Sequence, residues 1–184
     1  LKVSAYLMAD AELNANYAAV KKGHSGANVS GGENHAFDYG AANGKDSPFR
    51  GWYDEEKKIY DGLDEKYKKL TAYQLYKTYP DVYMTVGHYL NIVDPSSTVT
   101  GFALRGDYIA SSSGIQFTGP STFTQEFDYN YYHRPTKDVI LTTTEFKDQY
   151  RLYWGLMNRI PAEHSILQEN VQNASDTKSD KELV

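Results

Sequence analysis

The sequence predicts an α+β fold in which helices flank a small antiparallel sheet, followed by a C-terminal helical extension. Helical patterns dominate the first 80 residues, whereas residues 89–127 show strand patterns separated by a turn. An amphipathic segment rich in aromatic residues then follows. The chain has 184 residues, which is long enough for one domain with a sizeable core and short for two.

The composition argues against several classes of function. The formal net charge is −5, and the basic clusters alternate with acidic residues, so we expect no nucleic-acid partner. No run of about 18 apolar residues occurs, so we expect no membrane insertion by this stretch of chain. Cysteine is absent, which excludes disulfides and thiolate sites. The 17 tyrosines suit half-buried strands or a surface that contacts another molecule.

The first predicted element is a helix over residues 1–22. Ser4 is a suitable N-cap, and Gly23 is placed to end the helix. Apolar residues recur at roughly helical spacing and predict its buried face: Leu7, Ala11, Leu13, Tyr17 and Val20. From residue 23 to 51 the sequence is rich in Gly, Asn, Ser and Asp, which predicts a long irregular loop of the kind that often carries function.

Two helices and three strands are predicted next. The segment RGWYDEEKKIYDG predicts a short helix ended by Gly62, and LDEKYKKLTAYQLYKTYP predicts a second helix that stops before Pro80. The predicted strands are Tyr89–Val93, Val99–Arg105 and 114–127. Gly119-Pro120 interrupts the last of them, which favours an edge strand or a β-bulge.

The C-terminal part is predicted to be a separate helical extension that leads towards a stalk. We place residues 1–135 in the globular domain and residues 136–184 in the extension. The apolar stripe of the extension consists of Phe146, Tyr150, Tyr153, Trp154, Met157 and Ile160. A weak heptad repeat of Ile160, Leu167 and Ala174 hints at the stalk, and we expect disorder in the last dozen residues. Because the chain starts without Met or a signal-like segment, we interpret it as a piece of a longer protein.

Four ionisable residues form a candidate site: His24, Glu33, Glu55 and His88. Two imidazoles and two carboxylates suit a divalent, zinc-like cation, and they equally suit acid–base catalysis. The structural alternatives are a helix-end His24, a Glu55 stabilised by a helix dipole, and a His88 bonded inside the sheet. His35 and Asp38 are interpreted as loop residues that make local bonds. Glu56 is not expected to face the same point as Glu55, because one residue is about 100° of helix rotation.

The motifs around these four residues resemble the CAP superfamily of cysteine-rich secretory, antigen 5 and pathogenesis-related proteins. The chain carries HS, GEN, WYDE and GHY in that order, and the resemblance spans residues 1 to about 127. It implies an α-β-α sandwich whose central cleft is lined by two His and two Glu. By motif, these correspond to His24, Glu33, Glu55 and His88.

The chain also departs from the family pattern. Asn91 and Asp94 stand where the family usually has Gln and Trp, and the first helix of the family has no counterpart. The cysteine motifs of eukaryotic members are absent, which indicates a bacterial branch. Within that branch, the Tyr-rich sheet, the GPSTFTQEF segment and the helical extension resemble the CAP domains of Gram-positive surface exclusion proteins, including those of enterococcal plasmids.

This resemblance implies a secreted, cell-wall-anchored protein that limits plasmid entry during conjugation by recognising a partner adhesin, the aggregation substance. Two hypotheses follow for the cleft. In the first it holds a divalent cation or a small ligand in a recognition module, and in the second it is the active site of a peptidase. An HExxH helix and a GxSxG elbow are both absent. A Ser–His–Glu arrangement can still be drawn from Ser25 or Ser30 with His88 and Glu33.

Overall fold

The computed structural model describes residues 1–26, 31–39, 47–111, 114–128 and 137–182. The chain divides into two compact units, Leu1–Leu141 and Thr142–Val184. The boundary predicted between residues 135 and 136 lies outside the described residues, so it stays a prediction.

A five-stranded sheet forms the centre of the first unit. Its spatial order is β2-β4-β3-β1-β5, and all neighbours are antiparallel except β1 and β3, which are parallel. The strands are β1 (Lys2–Ser4), β2 (Gly32–Tyr39), β3 (Val99–Ser111), β4 (Gly114–Asp128) and β5 (Ile140–Leu141). Strand β2 therefore lies at one edge of the sheet.

Helices pack on both faces of this sheet, which confirms the predicted α+β, α-β-α arrangement. Helix α1 covers one face, and a series of short helices covers the other. The helical segments of this unit are α1 (Ala5–Lys21), a π-helical turn (Arg50–Glu55), α2 (Glu56–Asp61), α3 (Glu65–Lys68), α4 (Ala72–Thr78), α5 (Pro80–Tyr83) and α6 (Gly87–Val93). The second predicted helix is thus divided, and Thr71 forms a capping box at the start of α4.

The capping of α1 follows the prediction, but its buried face does not. The Ser4 hydroxyl accepts a hydrogen bond from the Leu7 N–H at 3.1 Å. The helix ends at Lys21, and its C-cap Lys22 adopts the left-handed conformation one residue before the predicted stop at Gly23. The buried residues of α1 are Leu7, Ala11, Asn14, Ala15 and Ala18. The predicted Leu13, Tyr17 and Val20 are exposed instead. Small side chains face the sheet because the helix lies too close to it for larger ones.

That close approach is centred on Gly101 of β3. A Cβ atom at this position would overlap the backbone carbonyl of Leu7 and the amide nitrogen of Met8. Nearby, Ala11 and Ala15 pack against Ala103 to form the core on this side of the sheet. The alanine face of α1 and the glycine of β3 therefore depend on each other.

The other face of the sheet carries the aromatic core. Trp52 of the π-helical turn packs with Ala36 of β2 and Phe123 of β4, and all three side chains are buried. The Trp52 indole also donates a hydrogen bond to the His35 carbonyl at 3.3 Å. Because the ring is held at both its apolar face and its polar edge, it fixes the π-helical turn against strand β2.

The prediction of a strand over Tyr89–Val93 is wrong, because these residues belong to helix α6. Short apolar runs are ambiguous between helix and strand, and here the burial of Val86 and Tyr89 follows a three-residue spacing. The backbone N–H groups of α6 find hydrogen-bond acceptors within the helix and on Glu56 of α2. Leu90 N–H bonds to the Val86 carbonyl at 3.0 Å, and Tyr89 N–H bonds to the Glu56 carboxylate at 2.9 Å.

The prediction of an irregular loop over residues 23–51 is wrong in part, because it contains strand β2. The strand was missed because its buried side chains include Glu33, Asn34 and His35, whose composition is typical of loops. Their polar groups find partners on β4 and α6, which are distant in sequence, and on His24, which follows α1. Residues 27–30 and 40–46 of the predicted loop lie outside the described residues.

Strands β3 and β4 confirm two of the predicted strands and extend them. The pairing runs from Val99 opposite Asp128 to Ser111 opposite Gly114, with a register irregularity between Gly106 and Tyr108. Strand β4 is flanked by β2 and β3, so it is not an edge strand. Pro120 is tolerated there because it lies beside this irregularity, in agreement with the bulge alternative.

The second unit contains one long helix, α7 (Thr143–Glu182). Helical structure covers the predicted amphipathic segment and continues through most of the last dozen residues, of which 183 and 184 lie outside the described residues. The predicted stripe is largely exposed, with Tyr150, Tyr153, Met157 and Ile160 all at the helix surface. Among the described helices, none combines the length and the apolar character needed to cross a membrane. The heptad-based stalk stays a prediction.

Substituting Gly101→Ala is expected to lower the free energy of unfolding by about 3 kcal/mol or more, because the new methyl group would meet backbone rather than a movable side chain. Urea denaturation followed by circular dichroism measures this effect. Gly23→Ala is the matched control, since its nearest neighbour beyond the adjacent residues is 4.0 Å away, and its change should stay within about 0.5 kcal/mol. Equal stability of the two variants would contradict the close contact of α1 with β3.

Candidate functional site

The structure distributes the four predicted site residues over two histidine–glutamate pairs. His24 follows α1 and contacts Glu33 of β2. His88 of α6 contacts Glu56 at 2.5 Å, through its Nδ1 atom. Glu55 is half-exposed and pairs with Arg50 at 3.0 Å rather than with either histidine. Sequence reasoning therefore named one complete pair and one half of the other.

The first pair is extended by a third residue, His35. Its Nε2 atom lies 2.8 Å from the same Glu33 oxygen that His24 contacts, and the two imidazole centroids are 4.6 Å apart. Glu33 and His35 are two residues apart on β2, so both side chains project from the same face of the strand. His35 was interpreted as a loop residue in the sequence, because the strand that aligns it with Glu33 was not predicted. We call His24, Glu33 and His35 the triad.

The carboxylate of Glu33 is buried with little access to water. Burial acts to raise its pKa, but the hydrogen-bonding side chains of His24 and His35 outweigh this effect, and the net pKa lies well below the ordinary value. Glu33 is therefore ionised at neutral pH. The triad presents a permanent negative charge beside two imidazole rings.

The second pair lies on the helical side of the sheet. One oxygen of the Glu56 carboxylate bonds to His88 Nδ1, and the other accepts a hydrogen bond from the Tyr89 N–H. Glu56 therefore also caps the first turn of α6. Trp52 stacks on the His88 ring, with centroids 5.7 Å apart and an interplanar angle of 27°. Glu56 thus fixes the orientation of His88, and Trp52 shields one of its faces.

The π-helical turn explains why Glu56 rather than Glu55 reaches His88. A π turn accommodates an extra residue relative to an α-helix, and it ends at Glu55, immediately before α2 begins. The one-residue shift turns Glu55 towards Arg50 and Glu56 towards α6. The sequence motif WYDE contains no sign of this turn, in which Trp52 is the buried residue.

A cavity of about 420 Å³ opens beside the second pair. Its lining includes His35, Trp52, Glu55, Glu56, Thr85 and His88. Both acidic residues line this one cavity, although only Glu56 contacts His88. A neighbouring cavity of about 430 Å³ is lined by Phe49, Tyr53, Ile92 and other residues, and it contains none of the four predicted site residues.

Two asparagines connect the region between β2 and α6. Asn34 donates to the His88 carbonyl at 3.2 Å, and Asn91 donates to the Asn34 side-chain oxygen at 2.9 Å. Asn91 also reaches the Glu33 carbonyl at 3.4 Å. The departure from the family pattern at position 91 thus preserves an amide that joins the helix of His88 to the strand of Glu33.

The arrangement supports two kinds of chemistry. The triad offers one nitrogen from each imidazole and one carboxylate oxygen, and these three atoms lie within 4.8 Å of one another. Among the described residues, this is the group of His and Glu side chains that is close enough to hold one metal ion. His88 is held at Nδ1 by Glu56, which leaves Nε2 for a proton transfer at the cavity. Of the two serines considered, Ser25 donates to Asn14 at 2.7 Å, and Ser30 lies outside the described residues.

Substituting Glu56→Ala is expected to lower the free energy of unfolding by about 1–3 kcal/mol, because it removes the cap of α6 and the partner of His88 together. Glu55→Ala provides the matched control and should change stability by less than about 1 kcal/mol, since it breaks an exposed ion pair. Urea denaturation of both variants checks this. The reverse order of stabilities would show that Glu55 is the residue that supports His88.

Comparison with known proteins gives one match that covers most of the chain. Residues 1–127 match the family model described as CAP, the cysteine-rich secretory protein family. Neither the curated proteins nor the solved structures contain a significant match. The matched range includes the whole of both pairs, and it agrees with the α-β-α arrangement of the first unit. The chain belongs to the CAP family.

Proposed function

We propose that this chain is the extracellular CAP domain of a bacterial cell-wall-anchored protein that recognises another cell-surface protein. On this proposal the partner is an adhesin of the aggregation substance type, and recognition serves surface exclusion during conjugative plasmid transfer. The resemblance to Gram-positive surface exclusion proteins supports the setting. The observation that carries the recognition role is a group of exposed tyrosines and a methionine on the first unit.

This group, which we call the tyrosine surface, lies on α4, α5 and the residues next to them. It consists of Tyr73, Tyr76, Tyr79 and Met84, which are 69%, 49%, 39% and 75% exposed. The amine of Lys77 lies 5.6 and 5.3 Å from the ring centroids of Tyr73 and Tyr76. Tyrosine and methionine are enriched at protein–protein interfaces because each supplies a large apolar area, and tyrosine adds a hydroxyl for hydrogen bonding.

The tyrosine surface is ordered before any partner arrives. Tyr76 packs edge-on against Tyr83, with centroids 5.3 Å apart, and Tyr79 packs in the same manner against Tyr67 at 5.0 Å. Rings that are already fixed lose less conformational entropy on binding, which favours affinity. The ring of Tyr83 also lies 3.1 Å from the position of a Cβ on Gly87, next to His88. A partner bound at this surface would therefore be adjacent to the second pair.

The double substitution Tyr73→Ser with Tyr76→Ser is expected to weaken binding of the purified adhesin about tenfold or more, because interface tyrosines commonly contribute over 1 kcal/mol each. Surface plasmon resonance with immobilised adhesin measures the change. Leu13→Ser with Val20→Ser is the matched control, because these two residues are 70% and 76% exposed but lie on α1. Absence of adhesin binding by the wild-type chain, or equal loss in both double variants, would contradict the proposal.

A peptidase acting on the same adhesin is the second candidate, and the His88–Glu56 pair favours it. In this alternative, Glu56 orients the imidazole, and His88 Nε2 takes a proton from a water molecule that attacks a peptide carbonyl at the cavity. The C–N bond of the tetrahedral adduct then breaks, and the His88 imidazolium returns the proton to the leaving amine. The stacked Trp52 ring keeps His88 facing the cavity. Recognition at the tyrosine surface would then deliver the substrate to this pair.

If the pair is catalytic, wild-type protein should convert the adhesin to discrete fragments, and His88→Ala should lower the rate at least about 100-fold. Timed incubation followed by electrophoresis and mass spectrometry measures cleavage. His164→Ala controls for the loss of a histidine, since His164 is exposed on α7. Intact adhesin after prolonged incubation with wild-type protein, under conditions where the two bind, would exclude the peptidase and leave the recognition role.

A further inference from the structure

We propose that Tyr83 is a positioning residue for His88 and that it couples the orientation of this histidine to the tyrosine surface. Tyr83 is the last residue of α5, and His88 is the second residue of α6. The proposal rests on the proposed function, in which the tyrosine surface binds the partner, and it adds how a bound partner would act on the second pair. Tyr83 is assigned no chemistry of its own, because it acts through the helix that carries His88.

The ring of Tyr83 belongs to the same aromatic packing as the tyrosine surface. Tyr76 meets it edge-on, with ring centroids 5.3 Å apart and an interplanar angle of 67°. Tyr76 is 49% exposed, whereas Tyr83 is half-buried. The attraction between two such rings depends on their distance and mutual angle, so a change at one ring is felt at the other. A partner that contacts Tyr76 is therefore expected to shift Tyr83.

The same ring lies against Gly87, the first residue of α6. A Cβ atom at Gly87 would lie 3.1 Å from two carbon atoms of the Tyr83 ring, Cε1 and Cζ. This distance is shorter than an ordinary carbon–carbon contact, so the absence of a side chain at Gly87 lets the ring come this close. The backbone adds a second connection, because the Tyr83 carbonyl accepts a hydrogen bond from the Val86 N–H at 3.0 Å. A displaced Tyr83 would therefore also displace the start of α6.

The hydroxyl of Tyr83 reaches His88 by a separate route. It shares a hydrogen bond with the side-chain amide of Asn91. The Asn91 amide donates to the Asn34 side-chain oxygen at 2.9 Å, and the Asn34 amide donates to the His88 carbonyl at 3.2 Å. Burial, followed by the negative charge of Glu56, raises the pKa of the Tyr83 hydroxyl, so it is protonated at neutral pH. Three hydrogen bonds in series thus join this hydroxyl to the backbone of His88.

The imidazole of His88 is sensitive to a displacement of α6 because the groups that hold it lie on other elements. Its Nδ1 atom bonds to Glu56 of α2 at 2.5 Å, and Trp52 of the π-helical turn stacks on the ring. The backbone of His88 moves with α6, whereas these two side chains do not. Hydrogen bonds weaken steeply when they lengthen or lose alignment, so a small shift of α6 changes the hold on the imidazole.

Tyr76→Ser and Tyr73→Ser form a matched pair that tests this coupling in the free protein. Both residues are exposed members of the tyrosine surface, but of the two only Tyr76 has a ring contact with Tyr83 among the described residues. The NMR signal of the His88 Cε1–H group, in protein made with ¹³C-labelled histidine, reports the surroundings of the imidazole. We expect this signal to shift in Tyr76→Ser and to keep its wild-type position in Tyr73→Ser.

Tyr83→Phe tests the hydroxyl route, because it keeps the ring and removes the hydrogen bond to Asn91. The rate at which diethyl pyrocarbonate modifies His88 at fixed pH, measured by mass spectrometry, gives a second readout. A loosened imidazole is more accessible, so we expect this rate to rise about threefold or more in Tyr83→Phe and in Tyr76→Ser, as for residues of one hydrogen-bonded network. The rate at the exposed His164 in the same sample is the internal reference.

An unchanged His88 signal and rate in either Tyr83→Phe or Tyr76→Ser would overturn the proposal, and so would an equal change in Tyr73→Ser. Thermal unfolding of each variant verifies that it is folded under the conditions of the measurement. Purified adhesin should shift the His88 signal of wild type, and the shift should be smaller in Tyr83→Phe. Adhesin binding without any shift would overturn the coupling and leave the recognition role. The expected changes in the free variants, together with no adhesin binding, would instead support Tyr83 as a positioning residue and contradict the recognition role.

Discussion

The buried carboxylate of Glu33 is the constraint on which the site depends. A carboxylate removed from water must be neutralised or given close partners, and its lowered pKa shows that the partners prevail over burial. Those partners come from three places in the chain: the end of α1, the strand β2 itself, and β4, where Glu126 lies directly opposite. Burial of Glu33 therefore depends on the assembly of β2 with β4 and with the end of α1, which ties the site to the architecture.

The rest of the site is built around the same strand from its other face. Asn34 follows Glu33 and bonds to the backbone of α6, and Asn91 of α6 bonds back to β2. This exchange holds a seven-residue helix that has little intrinsic stability of its own. Glu56 completes the support by capping that helix and bonding His88. One edge strand thus positions both histidine–glutamate pairs, on opposite faces of the sheet.

Sequence patterns predicted those features that depend on neighbouring residues. The Ser4 cap, the helix that follows it and the strands at β3 and β4 were all predicted, because capping and alternation are local. The family was predicted from four short motifs in order, and the match over residues 1–127 confirms it. These motifs carry family information that no single residue preference contains.

Features that depend on distant partners could not be predicted. The polar side chains of strand β2 bond to β4, to α6 and to His24 after α1, so composition alone indicated a loop. Helix α6 is short, and its first turn is completed by a carboxylate from α2, so its apolar run resembled a strand. The choice of Glu56 over Glu55 follows a π-helical turn that contains the buried Trp52. In each case contacts with residues distant in sequence determine a structure that local residue preferences do not specify.

The separation of the two pairs changes what family membership implies for chemistry. A single cleft of two His and two Glu suggests one centre in which all four residues act on one ligand. Here the strand between them directs Glu33 and His35 to one face and leaves His88 with Glu56 on the other. A proton transfer at His88, as in the proposed peptidase, would therefore have Glu56 and not Glu33 as its carboxylate partner. The proposed recognition at the tyrosine surface and the proposed acid–base chemistry at His88 can therefore be tested separately, because they depend on different side chains.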